Sequence, residues 1–221
     1  STGQILDCLD RLKLAKNTLV IFTSDNGSNG RNGGSNRPLS GAKGSTMEGG
    51  MRVPMIVRWP GRIPADSTCR ELGTMMDLLP TLCALTGASL PPQKLDGFDI
   101  SGMLFGKEDA NSQYEALYYY RRRQLQAIRY GDWKYHLPLN ATHPNWTTAK
   151  QAGPGRSGKL VNLKSDLQEK IDVSAMNPEV IKRMEVHWKH AVLALGNDET
   201  LGSEQRDART LSSSKPMTLK K

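Results

Sequence analysis

Ile5, Leu6, Leu9 and Leu12 recur at three- and four-residue intervals, so residues 3–14 are predicted to form an amphipathic helix. Leu19, Val20, Ile21 and Phe22 form instead a continuous apolar run too short for a helix. A run apolar on both faces suits a central strand of a parallel sheet covered by helices. Residues 27–50 are then dominated by Gly, Ser and Asn, and a loop of that length in a compact domain is usually functional or mobile. Pro54 to Trp59 reads as a second strand, stopped by Pro60-Gly61. Asp77 is the expected N-cap of a helix through Leu78, Leu79, Leu82 and Leu85 that ends at Gly87, with Pro80 tolerated in its first turn.

The pattern changes after a Pro-rich connector at 88–98 and the segment "LDGFDISGML". Ala116–Tyr120, Leu125–Tyr130 and Trp133–His136 read as short strands, the last two joined as a hairpin through Gly131-Asp132. Asn177-Pro178 opens a helix, with proline at the first helical position, that buries Met184, Trp188, Val192 and Leu195 and stops at Gly196. The expected organisation is an α/β part over 1–110, a small antiparallel sheet with a terminal helix over 111–197, and a disordered polar tail over 198–221. No internal repeat is visible.

Composition narrows this picture only a little. A chain of 221 residues is long enough for one fair-sized domain, or a large one with a small companion. No apolar run approaches the ~20 residues that span a bilayer. No signal peptide is seen, since Ser1-Thr2-Gly3 leads straight into helical periodicity; with no initiating Met, an upstream part is expected to be missing. Cys8, Cys69 and Cys83 have neither zinc-type nor CxxC spacing, and Cys8 and Cys83 are expected in the core. The formal charge of +8 admits an anionic partner, although much of it is scattered in Arg121-Arg122-Arg123 and in the tail ending Lys220-Lys221.

The chemistry concentrates where the first strand ends, in Thr23-Ser24-Asp25-Asn26-Gly27. Asp, Asn and Gly are residues that turns favour. In open α/β sheets, however, ligands bind beyond the carboxyl ends of strands, which is where Asp25 and Asn26 stand. A carboxylate beside an amide oxygen suits a hard cation such as calcium or magnesium, and the remainder of a calcium shell of ~6–8 oxygens would come from elsewhere. Lys43 lies between Gly41-Ala42 and Gly44-Ser45, so its ammonium is open to a ligand; a solvated surface lysine would look the same. Glu48-Gly49-Gly50 and Arg52 follow, with a structural ion pair as the plain alternative for Arg52.

Taken together, these blocks resemble the type I sulfatases, the formylglycine-dependent arylsulfatase family of the alkaline phosphatase superfamily. The resemblance rests on "NTLVIFTSDNG" at 17–27, "GAKGSTMEGGMRVPMIVRWPG" at 41–61, "MMDLLPTLCALTGASLP" at 75–91, "LDGFDISGMLFG" at 95–106 and "AIRYGDWKYH" at 127–136. It is less specific over 160–195. It implies part of an alkaline-phosphatase-like α/β/α sandwich plus the small C-terminal sheet and helix. It further implies Asp25 and Asn26 as calcium ligands, Lys43 as a sulfate-binding catalytic residue, Glu48 and Arg52 in support, a sulfated small molecule or glycan as substrate, and an extracytoplasmic location. In the family, a Cys or Ser in a C/S-x-P/A-x-R motif becomes formylglycine, the nucleophile. Here the sequence departs: none of Cys8-Leu9-Asp10-Arg11, Cys69-Arg70-Glu71-Leu72 or Cys83-Ala84-Leu85-Thr86 fits, and His136, His143, His187 and His190 all come late. The resemblance is therefore to the C-terminal part of a sulfatase, inactive alone.

Two other readings compete. A phosphatase or phosphodiesterase of the same superfamily would resemble an Asp-His after this strand, where the chain has Asp25-Asn26. A basic polyanion-binding module would use Arg121-Arg122-Arg123 beside Tyr118-Tyr119-Tyr120, although alternating strand side chains look alike and no nucleic-acid motif is present. Asn140-Ala141-Thr142 and Asn145-Trp146-Thr147 are glycosylation triplets. Oligomeric state leaves no sign in the sequence.

Overall fold

The computed structural model describes residues 1–31, 33–143, 152–198 and 200–206. They form two compact units, one of residues 1–117 with 167–169 and the other of the remaining residues from 118 onward.

In the first unit, α1 (Thr2–Arg11) leads through a 3-10 turn at Ala15–Asn17 into β1 (Val20–Thr23). The glycine-rich loop ends in α2 (Glu48–Met51), and β2 is Met55–Arg58. The pairing departs from the expected parallel sheet: β1 runs antiparallel to β2, with Phe22 opposite Ile56. Both are exposed, at 49% and 63%. A strand apolar on both faces is buried only where layers cover both, and the described residues cover one at most. The same shortage shows in α1, which has no buried residue, so Cys8 is half-exposed while Cys83 is buried as expected.

A 3-10 turn at Met75–Asp77 runs into α3 (Leu78–Thr86), closed by Gly87 in the left-handed region at φ 74°. Asp77 occupies the N-cap position of α3 as expected, but its side chain makes no cap bond to that helix. Thr74 caps through its hydroxyl, and the Asp77 carboxylate reaches back to the Thr74 N–H at 2.6 Å. That fully buried carboxylate also accepts from the Phe98 N–H at 2.8 Å and from the Tyr114 hydroxyl. It thereby ties the Pro-rich connector before α4 (Ser101–Leu104) to the start of α3. Buried carboxylates persist when hydrogen bonds replace their lost water, and three such bonds do so here.

The second unit holds a four-stranded sheet in the order β3 (Leu117–Arg121), β4 (Gln124–Tyr130), β5 (Trp133–His136), β8 (Lys159–Asn162). The β4–β5 hairpin turns through Gly131-Asp132, as the sequence pattern predicts. β6 (Leu139–Thr142) and β7 (Gly153–Arg156) form a separate ribbon. Leu125, Ala127, Ile128, Leu160 and Val161 are buried on the two faces of this sheet, and α5 (Pro178–Leu195) packs against β4 and β5. α5 buries Met184, Ala191 and Ala194 most deeply, while Trp188, Val192 and Leu195 are only half-buried; the small alanines let the helix backbone approach the sheet. Its end is held by β9 (Gly196–Asn197) paired with β10 (Thr200–Leu201), so the start of the stretch expected to be a disordered tail is hydrogen-bonded. The rest of that tail, from 207 onward, lies outside the described residues, as does the triplet at Asn145.

Two tyrosines of the tyrosine-arginine run are used inside this unit, whereas Arg122 and Arg123 are exposed. The Lys134 ammonium sits 4.1 Å over the buried Tyr119 ring, and the Tyr120 hydroxyl donates to the Gly196 carbonyl at 2.8 Å. Burial, with Tyr118 nearby, raises the Tyr120 hydroxyl to about 12.

Candidate calcium and sulfate site

Everything expected of a site in the first unit lies on one loop system between β1 and β2. β1 delivers Asp25, exposed, and Asn26, half-buried, into a turn in which the Ser24 hydroxyl donates to the Asn26 carbonyl at 2.8 Å. The Asn26 amide nitrogen donates to the Asp25 carboxylate, so the two side chains touch. Immediately afterwards the Gly27 N–H donates to the Gly50 carbonyl at 3.1 Å. A Cβ on Gly27 would sit 1.8 Å from the Gly49 carbonyl oxygen. The turn after β1 and the "EGG" segment are therefore packed backbone against backbone, which explains Gly27. Gly49 and Gly50 are required instead by the carbonyl oxygens of Ser40 and Ser45, which an added Cβ would meet at 2.5 and 2.4 Å.

Lys43 is exposed, and its backbone N–H donates to the Ser28 carbonyl at 3.0 Å. The lysine is thus bound to the residue two beyond Asn26. Among the described residues, no carboxylate lies within ion-pair distance of its ammonium. Glu48, in contrast, is buried in the first turn of α2 and accepts the Arg52 N–H through its carbonyl at 2.7 Å. Arg52 itself is exposed. The structure brings Asp25, Asn26 and Lys43 onto one loop framework and sets Glu48 beneath it.

Three contributors to this framework carry no local sequence signal. The Gln168 carbonyl accepts from the Ser40 hydroxyl at 2.6 Å, and the buried Glu169 carboxylate accepts the Glu48 N–H at 2.7 Å. Residues more than a hundred positions downstream thus hold both ends of the lysine loop. The third is Asn36, whose amide bridges Ser28 and Gly41.

Asp25 and Asn26 suit a hard divalent cation in kind, since both side chains carry oxygen donors. They do not suffice in number: among the described residues, no group of three or more His, Cys, Asp or Glu side chains is placed to hold a metal.

Comparison with known proteins decides what this framework belongs to. The family model "Sulfatase" matches residues 1–88. N-acetylgalactosamine-6-sulfatase of Canis lupus familiaris is 41% identical over 142 residues, covering 62% of this chain and 27% of that protein. Arylsulfatase A of Homo sapiens is 36% identical over 203 residues, covering 83% and 39%. The crystal structure of a sulfatase from Pseudoalteromonas sp. superposes with a TM-score of 0.70 at 29% identity, over 89% of this chain and 42% of that one. The chain belongs to the sulfatase family. Its fold is accordingly of the alkaline-phosphatase-like α/β class, with antiparallel sheets and a packed helix. This sulfatase chain spans between a quarter and two fifths of the length of these curated relatives. Among its described residues no helix is long and apolar enough to cross a membrane. Family membership is consistent with a calcium- and formylglycine-dependent mechanism.

Proposed function

We propose that the protein carrying this chain hydrolyses sulfate esters, with Asp25 and Asn26 contributing oxygen ligands to calcium and Lys43 binding the sulfate. The observation that supports this reading is the Lys43–Ser28 backbone bond at 3.0 Å, which ties the backbone of an exposed lysine to the turn presenting the carboxylate–amide pair. Calcium, when bound, would supply positive charge that stabilises the sulfate ester's developing negative charge. Lys43 adds a second positive charge, preset by the loop, where negative charge grows during transfer. Asp25 and Asn26 would hold the cation through their side-chain oxygens, and the close Gly27–Gly49 backbone contact fixes the turn that carries them. Glu48 and Arg52 act in support, Glu48 through its buried place under the loop. The nucleophile is supplied by formylglycine outside this chain, which has no C/S-x-P/A-x-R motif.

The substrate class we favour is a sulfated sugar, by similarity to the relative named N-acetylgalactosamine-6-sulfatase. An extracytoplasmic location fits the exposed Asn140 of the first glycosylation triplet, on β6. The polyanion-binding reading loses support, because Tyr119 and Tyr120 already serve packing and hydrogen bonding within the second unit.

The test compares the whole protein with residues 1–221, both with added calcium, on a chromogenic aryl sulfate, a 6-O-sulfated amino sugar and the matching phosphate ester. The whole protein is expected to cleave the sulfates, to lose activity on chelation, and to regain it with calcium. The chain 1–221 is expected to stay at the buffer blank. Faster hydrolysis of the phosphate ester would transfer the protein to the phosphatase reading.

A further inference from the structure

We infer that Asn36 is a positioning residue that sets the Lys43 ammonium relative to the Asp25–Asn26 turn, a role that rests on the sulfatase reading for its catalytic consequence. The half-buried Asn36 side chain uses both ends of its amide. Its Oδ1 accepts the Ser28 N–H at 2.7 Å, and its Nδ2 donates to the Ser28 carbonyl at 2.8 Å and to the Gly41 carbonyl at 3.1 Å. One amide group thus saturates the backbone of Ser28 on both sides, as a neighbouring strand would, and then reaches across to the opposite limb of the loop. Ser28 is also where the Lys43 N–H lands, at 3.0 Å. Gly41, two residues before Lys43, is held at φ 86° in the left-handed region.

The geometry leaves few other ways to fix the lysine. Its loop lacks a continuous ladder between Ser28 and Glu48; beyond the Gln168 and Glu169 anchors at its ends and the Ala42–Ser45 turn, its limbs meet through Lys43 N–H to Ser28, Gly49 N–H to the Ser40 carbonyl at 2.7 Å, and the Asn36 bridge. Removing Asn36 would leave the Ser28 N–H without its partner and free the Gly41 limb. Lys43 would then explore positions off the sulfate, and a displacement of about 1 Å can lower turnover by about 100-fold.

The experiment has two arms. In the whole protein, tryptic cleavage after Lys43 reports loop closure with no reference to catalysis, and Asn36→Ala is expected to accelerate it several-fold. Asn29→Ala serves as the control: its side chain accepts the Arg31 N–H at 2.8 Å within the same loop, and the cleavage rate should hold. In the whole enzyme, Asn36→Ala is expected to lower kcat by roughly 10- to 100-fold, with calcium content unchanged. In a Lys43→Ala background the same substitution should produce no further loss, because a residue acting through the lysine has nothing left to position. Equal losses in both backgrounds, or an unchanged cleavage rate, would overturn the assignment. A parent enzyme that cleaves no sulfate ester would refute the sulfatase reading instead, while the cleavage arm would still judge the clamp. Should Asn36→Ala fail to fold, Asn36→Asp keeps the acceptor for Ser28 N–H but sets a carboxylate against two carbonyl oxygens. It is expected to show the same faster cleavage and lower kcat.

Discussion

Gly27 and Gly49 meet backbone to backbone, so closely that a methyl group on the first would overlap the carbonyl oxygen of the second at 1.8 Å. Both glycines are buried. Backbone oxygen cannot swing aside as a side-chain tip can. Gly27→Ala should therefore force the turn and the "EGG" segment apart and destabilise the fold by about 1–3 kcal/mol. Gly3→Ala, in α1 with open space around it, should be neutral or stabilising. Urea unfolding of the two variants, compared through their midpoints, checks the contrast.

Asp25→Ala removes a charge and an oxygen donor, whereas Asn26→Ala removes a neutral donor only. The expected order of calcium loss in the whole protein is therefore Asp25→Ala greater than Asn26→Ala, read by metal analysis after dialysis. Unchanged metal content and activity in Asp25→Ala would remove the turn from the cation site.

Lys43→Ala is expected to lower turnover by roughly 10²–10³, the scale for deleting one preorganised electrostatic donor. Lys43→Arg should recover only part of this, because a planar fork does not replace a compact ammonium. Steady-state kinetics on the aryl sulfate decides the matter. Near-normal turnover in Lys43→Ala would make it an ordinary surface lysine.

Tyr114 yields a pH prediction. Burial, and then its hydrogen bond to Asp77, raise its hydroxyl well above the ordinary tyrosine value. Below pH ~10 the folded and unfolded forms both keep the proton and this contribution is fully present. As pH climbs past ~10 the unfolded tyrosine ionises first, so stability falls with rising pH. Tyr114→Phe should destabilise by about 1.5–3 kcal/mol at neutral pH, the range for hydrogen bonds to charged groups. It should also show a shallower alkaline decline than the parent. Thermal melts from pH 8 to 11 test both; parallel declines would show that Asp77 does not depend on this hydroxyl.

Local patterning in the sequence determined the elements. Helical spacing placed α1 and α5, apolar runs between turn residues placed β1 to β5, and Gly131-Asp132 located the hairpin, because each depends on contacts within a few residues. Asp25, Asn26 and Lys43 stood out as candidates by residue type and by the family resemblance, and the tertiary structure sets all three on one loop system. The tertiary structure decided what rests on distant partners. β1 lies antiparallel to β2, since a strand's neighbours are chosen by which layers cover it and not by its own composition. Asp77 became a buried hub because Phe98 and Tyr114 return to it. Glu169 came to support the lysine loop across more than a hundred residues. A hydrogen bond between remote segments leaves no period in the chain, and only folding reveals which polar side chain will answer which backbone group.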